Sequence, residues 1–432
     1  MVLTEHTMVR TMNSEYTMMN LEYEMIEECI ACGSEDLVPV LDLGKQPLAN
    51  SYKKSAYDTE SYFPLAINRC KECFHVQLSV RVDPDLMYKD YAYVSGTAKT
   101  QLDYFDWFAE FAAEKYGTKP INVLDIGCND GSQLNSFQDR GAQTYGVDPA
   151  ENLFATSSQR HKVVCGYFTG KEFSHEKFDI ITCQNAFAHN FNQLELLQNI
   201  RNVMHKDSLL FATTSQCDMI LNGEFDTIYH EHLSFYNVKS IDALCKRAGL
   251  NLVDVIKSPV HGMSYIFVIS KFAKAPRTIE NLILHETNKG LYSPETYDKY
   301  EADCLHNVKQ FADFIKKMKK EGRTVVGYGA PAKGNTLMNF AGIGPDFIID
   351  DNPLKQGLYA PGVNVPIYSS QYLEKYSDAT GIVFIPLAWN FYNEIVKKIK
   401  TMRPDGKDIF VKHFPQFKIE GALYSVVDYH PV

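Results

Sequence analysis

Two C-x-x-C knuckles, Cys29/Cys32 and Cys70/Cys73, constrain this chain more than any other feature. Each knuckle turns two thiolates toward one ion, and two knuckles complete the tetrahedral S4 geometry of structural zinc. Disulfides fit poorly. Ten cysteines are spread through 432 residues, and residues 1–28 lack the basic-then-apolar order of a signal peptide, which points to a reducing, cytoplasmic setting. The interval of residues 33–69 exceeds the usual ribbon spacing, so a zinc ribbon with an inserted loop is expected. With four thiolates the ion has no open position for water and is structural, not catalytic.

Composition sets broad limits. The length predicts about two to four domains, and 45% hydrophobic with 12% aromatic residues suffices for packed cores. A net charge of −10 argues against nucleic acid as a partner. No apolar run approaches the ~18 residues of a transmembrane helix. Residues 1–28 read as a poorly ordered, Met-rich acidic leader, and oligomeric state is not legible.

The expected organisation is a zinc-binding domain over 29–82, a methyltransferase-like domain over 83–275 with a tyrosine-rich lid at its start, and a C-terminal Rossmann-like domain over 276–432. After an amphipathic helix from Gln101 to Lys115, βα alternation begins. Strands are predicted at Asn122–Ile126, Gln143–Val147, Val163–Gly166, Phe178–Cys183 and Ser208–Thr213, with helices from Ser132 and over Leu194–Met204. This is an α/β doubly wound parallel sheet. The pair Leu252–Lys257 and Ser264–Ser270 reads as a closing hairpin through Pro259-Val260-His261-Gly262.

In Asp125-x-Gly127-x-Asn129-Asp130-Gly131, glycines let backbone approach a ligand at a helix start. Asp148, ending the second strand, can accept hydrogen bonds from ribose hydroxyls. That pattern alone fits a dinucleotide or S-adenosylmethionine; the closing antiparallel strand favours the latter and the class I methyltransferase fold. Phe168 and Asn185, beyond the third and fourth strands, complete the cofactor-binding candidates.

Substrate chemistry belongs beyond the carboxyl ends of the strands. Gln184 to His189 leaves the fourth strand there, and a long excursion holding Glu224, Asp226, Tyr229, His230, Glu231 and His232 leaves the fifth. Both offer proton carriers and hydrogen-bond donors. A second metal site at His230 and His232 would need a third ligand that the sequence does not supply.

These motifs, with His261-Gly262 and Gly327-Tyr328-Gly329-Ala330-Pro331-Ala332-Lys333-Gly334-Asn335, resemble the C-methyltransferases that act on nucleotide-linked deoxyketosugars, over about residues 29–430. The resemblance implies structural zinc, S-adenosylmethionine, and methyl transfer to the carbon beside a ketone. It implies His232 as base, His189 and Tyr229 as donors to the enolate oxygen, and Glu231 orienting a histidine or holding a sugar hydroxyl. Tyr91 or Tyr93 would reach in from the lid, which the zinc lobe would support. Lys333, Asn335 and His261 are the implied substrate contacts.

The chain departs from the family pattern at Ile385-Pro386-Leu387-Ala388-Trp389-Asn390, at Ser95-Gly96-Thr97 and at Met263. The Gly329–Gly334 turn after strand Thr324–Tyr328, followed by Asp350, could also be an NAD site, although Lys333 suits a phosphate better. Methylation of oxygen or nitrogen, or binding without catalysis, are the competing functions.

Overall fold

The computed structural model describes residues 22–428 apart from 92, 98, 216, 259–263, 274–275, 377–380, 415–416 and 422–423. Residues 1–21 of the leader, His261 and the turn of the closing hairpin lie outside the described residues. The rest of the leader is not loose. Tyr23–Met25 pairs antiparallel with Val80–Val82, and Ile26 is buried behind it.

The interval between the cysteine knuckles is not an inserted loop either. Leu37–Pro47 and Tyr62–Cys70 are long antiparallel strands joined in one sheet with Val76–Leu78. Along Tyr62–Cys70, Phe63, Leu65 and Ile67 alternate inward, the two-residue period of a half-buried strand. The sheet's fourth strand, Ser234–Phe235, comes from the excursion of the central domain.

The central sheet follows the predicted strands closely. Its spatial order is Asn251–Lys257, Tyr265–Ser270, Met204–Thr214, Phe178–Gln184, Asn122–Ile126, Gln143–Asp148, Lys162–Cys165. The five strands from Met204–Thr214 to Lys162–Cys165 are parallel, while Tyr265–Ser270 inserts antiparallel beside Met204–Thr214. The chain reverses its strand order at Asn122–Ile126, which opens a crevice at the carboxyl ends there.

The C-terminal domain repeats the scheme. Ile367–Tyr368, Phe347–Ile349, Val325–Tyr328, Val383–Pro386 and Ile409–Lys412 run parallel, followed by antiparallel Lys418–Gly421 and Tyr424–Asp428. The helix Ala332–Ala341 begins directly after Pro331, which stands at its cap, where a missing N–H costs nothing.

The lobes share cores. One buried cluster runs from Leu65 and Leu78 through Ile228 and Phe235 to Tyr300, Leu337 and Val383. Another joins Cys29, Cys70 and Cys73 to Leu124 and Ile181 of the central sheet and to Tyr236, just beyond Ser234–Phe235. Among the described residues, no helix is long and apolar enough to cross a membrane.

Candidate active site

A cavity of about 870 Å³ opens at the crevice and is walled by all three lobes. That volume lies within the range of sites that enclose small molecules. Its cofactor side forms around the turn after Asn122–Ile126. Gly127 adopts φ +79°, and a Cβ there would meet that of Ala186 at 2.4 Å, so only glycine fits. Asn129, also at positive φ, donates its backbone N–H to Asp148 Oδ2 at 2.7 Å. Asp148 Oδ1 accepts from Ala150 N at 2.8 Å, so the carboxylate is fixed at the strand end with lone pairs left toward the cavity. Phe168 and Asn185 line the same side. Asp125 sits beneath it, accepting from Thr182 Oγ1 at 2.6 Å, and burial lifts its carboxyl to about 8. Glycine at the turn and an acid at the second strand fit the ribose and backbone-contact requirements of S-adenosylmethionine.

Two expected cofactor contacts do other work. Asp130 accepts from Gly96 N at 2.9 Å and Ser132 N at 3.1 Å, tying the lid to the helix start, and it does not line the cavity. Gly131, at φ +82°, makes the turn into the helix Ser132–Asp139 against His161. Asn129 also holds the lid: its side chain accepts from Ser95 N at 2.9 Å and donates to Tyr93 O at 3.0 Å. The lid is therefore clamped by the central domain at Ser95 and Gly96.

The opposite wall gathers His189, Tyr229 and His232. His189 follows the fourth strand on a single 3-10 turn, and His232 ends the excursion just before Ser234–Phe235 locks into the zinc-lobe sheet. Their rings lie 5.1 Å apart, and Tyr88, from the tyrosine-rich segment, stacks on His189 at 5.9 Å. Tyr229 Oη lies 2.7 Å from His232 Nε2, while His232 Nδ1 lies 2.8 Å from the carbonyl of Thr227. A carbonyl only accepts, so Nδ1 carries the proton and Nε2 is the basic nitrogen. Burial holds His189 down at about 4 and His232 well below its usual range; burial likewise raises the Tyr229 phenol.

Glu231 neither orients a histidine nor lines the cavity. Its Oε2 accepts from Tyr91 Oη at 2.9 Å and its Oε1 from Asn50 Nδ2 at 2.6 Å, joining the lid to the zinc lobe behind the wall. Burial raises its carboxyl. His230 turns away and meets the carbonyl of Pro64 at 3.2 Å, so the two excursion histidines do not share a metal. Tyr91 and Tyr93 do line the cavity.

The third wall comes from the C-terminal domain. Lys333 lines it, 4.0 Å from Glu224 Oε2 and 5.0 Å from the Trp389 ring centre, with Lys355 and Asn352 nearby. Asn335 is buried outside the cavity, donating to Ala49 O at 2.7 Å, and so holds the zinc lobe rather than substrate. Asp350 is likewise occupied, accepting from Ala330 N at 2.6 Å and Asn352 N at 2.7 Å. Lys355, Asn352 and Asn50 escaped the sequence reading because none stands in a motif; they enter through loops brought together by tertiary packing.

The four knuckle sulfurs lie within 4.8 Å of one another, with Cys29–Cys73 and Cys32–Cys70 each at 3.6 Å. A tetrahedron with ~2.3 Å bonds has edges of about 3.8 Å, so the cluster fits one zinc ion. Backbone N–H groups of Cys32 and Glu72 point at Cys29 and Cys70 sulfurs at 3.4 and 3.3 Å, the outer support a thiolate site needs.

Three family descriptions match in succession: "Putative zinc binding domain" over residues 29–88, "Methyltransferase domain" over 97–255, and "C-methyltransferase C-terminal domain" over 259–415. C-methyltransferase NovU of Streptomyces niveus is 30% identical over 416 residues, covering 92% of this chain and 97% of that one. The chain belongs to the C-methyltransferase family. It is an S-adenosylmethionine-dependent C-methyltransferase with a four-cysteine zinc site. A ubiquinone biosynthesis O-methyltransferase of Glaesserella parasuis serovar 5 (strain SH0165) is 34% identical over 104 residues, 21% of this chain and 44% of that one. Among solved structures, an S-adenosylmethionine-dependent methyltransferase of Clostridium acetobutylicum ATCC 824 covers 40% of this chain and 92% of its own, at 12% identity and TM-score 0.35.

Proposed function

We propose that this C-methyltransferase acts on a nucleotide-linked 4-keto-deoxysugar and methylates the carbon beside the ketone, carbon 3. The supporting observation is a neutral histidine, His232, with its basic nitrogen held 2.7 Å from a tyrosine hydroxyl in a buried wall facing the cofactor side. Carbon next to a ketone becomes nucleophilic once a base removes its proton and donors hold the enolate oxygen.

The residues divide these tasks. The Thr227 carbonyl fixes the His232 tautomer, so Nε2 accepts the proton from carbon 3. The Tyr229 hydroxyl, which occupies Nε2 in the free site, turns to the ketone oxygen when sugar enters, freeing the base and donating to the developing enolate. His189, neutral and braced by Tyr88, gives the second hydrogen bond. Glu231 and Asn50 hold Tyr91 against the sugar. Bound S-adenosylmethionine supplies the electrophilic methyl group from the Asp148 side. Lys333 and Lys355 carry the positive charge suited to the sugar diphosphate.

Incubation with S-adenosylmethionine and a panel of nucleotide 4-ketosugars, followed by product NMR, tests the reading. A new methyl on carbon 3 supports it; methylation on oxygen or nitrogen alone overturns it.

A further inference from the structure

We propose that Gln193 is a positioning residue that sets the place of His189, and that it is the last link of a buried polar chain starting at the Cys70/Cys73 knuckle. The inference rests on the reading of His189 as a donor to the substrate oxygen.

Gln193 opens the helix Gln193–Val203 and is 1% exposed. Its Nε2 donates to the carbonyl of Ala188 at 3.2 Å, the residue immediately before His189. The same carbonyl accepts from Leu233 N at 3.0 Å, immediately after His232. One backbone oxygen thus ties the two histidine segments together, and Gln193 holds it from behind.

The other end of the amide is equally determined. Gln193 Oε1 accepts from Ser234 Oγ at 2.9 Å and from the Tyr236 hydroxyl. Having given its proton to Gln193, Ser234 must accept at its other contact, His75 Nε2 at 3.1 Å. His75 therefore carries its proton on Nε2, and its Nδ1 lies 3.3 Å from Ser240 Oγ, whose hydroxyl also reaches the Asn237 carbonyl at 3.0 Å. Ser240 is fixed in a capping box with Asn237, whose Nδ2 donates to the carbonyls of Phe74 at 2.7 Å and Cys73 at 3.3 Å.

Every hydroxyl, amide and ring in this chain is fully or almost fully buried, so water cannot substitute for a missing link. Reversing the Gln193 amide would set its Oε1 against the Ala188 carbonyl. The arrangement specifies the orientation of the His189 turn more tightly than apolar packing would. None of these residues lines the cavity, which marks the role as positioning.

Gln193→Glu, assayed at alkaline pH where its carboxyl is ionised, tests this with little change of shape: both acceptor contacts survive, and the donor to Ala188 is replaced by a charged oxygen that repels that carbonyl. Because displacements of about an ångström near the reacting atoms can cost on the order of 10²-fold in rate, kcat is expected to fall by about tenfold or more. The S-adenosylmethionine Kd should stay within about twofold and zinc content should be unchanged, a split that general loss of structure would not give. A wild-type kcat in Gln193→Glu overturns the proposal. If that variant fails to fold, Ser234→Ala decides: kcat reduced about threefold or more at unchanged cofactor affinity supports the chain, and wild-type kcat overturns it. His189→Asn, measured alongside, separates the two layers. Loss in His189→Asn without loss in Gln193→Glu sinks the positioning role alone, whereas an indifferent His189→Asn removes the reading beneath it.

Discussion

Tyr229 Oη lies 2.7 Å from His232 Nε2, so in the free enzyme the base is already partnered by the residue proposed to stabilise the product of its action. The pair should respond asymmetrically to substitution. His232→Asn is expected to abolish exchange of the carbon 3 proton with deuterium while S-adenosylmethionine binding by calorimetry persists. Tyr229→Phe keeps the base and loses a donor, slowing methylation by about 10²-fold. Retained exchange in His232→Asn would remove that residue from the role of base.

Acid pH gives a second prediction. Burial holds His189 at about 4 and His232 well below 6.5, so both remain neutral where a free histidine takes up a proton. The acid limb of kcat/KM should consequently lie below pH 6.5. The unfolded chain protonates first as pH drops, so stability is present above 6.5 and is lost as pH falls toward 4. Chemical denaturation at pH 7.5 and 5 measures that loss, and an activity limb centred at 6.5 would contradict the burial argument.

Asp125 titrates in the opposite sense. Its folded carboxyl is raised to about 8 from 3.8, so folding at neutral pH must take up a proton. Stability is greatest below 3.8 and declines as pH rises toward 8. Asp125→Asn removes that cost, and its melting temperature should exceed the parent's at pH 7 but not at pH 4. A destabilised variant at pH 7 would show that the carboxyl is ionised in the fold.

Chelation is expected to act on the whole chain. Cys29, Cys70 and Cys73 lie in one buried cluster with Leu124 and Ile181 beneath the cofactor site. Removing zinc should lower the melting temperature in a single transition and weaken cofactor and sugar binding together. Two separate calorimetric transitions would argue otherwise.

Asn50 supplies a test of the lobe contact. Without its amide, the buried Glu231 carboxylate loses one of two donors and Tyr91 loses a fixed acceptor. Asn50→Ala should lower kcat/KM for sugar by about tenfold with cofactor affinity unchanged. Equal effects on both ligands would place Asn50 in general packing.

Much of this was legible beforehand. The central strands announce themselves as short apolar runs between turn residues, and the knuckles, Asp148 and the histidines stand in recognisable patterns. The errors share a cause. Asp130, Glu231 and Asn335 are polar residues inside motifs, and sequence cannot distinguish a side chain aimed at ligand from one aimed at backbone of another lobe. Asn50, Lys355 and Gln193 went unnoticed because their roles depend on segments far apart in the chain. The interval between knuckles was misread as a loop since its alternation, Phe63-x-Leu65-x-Ile67, was overshadowed by the cysteines around it.

Ser234–Phe235 adds an edge strand to the zinc-lobe sheet two residues after His232. The lobes are consequently not interchangeable modules. A chimera that imported another zinc lobe would have to import a docking edge for this strand, and a central domain produced alone would leave the strand that follows His232 unpaired. Specificity grafted onto this scaffold must travel with both sides of that seam.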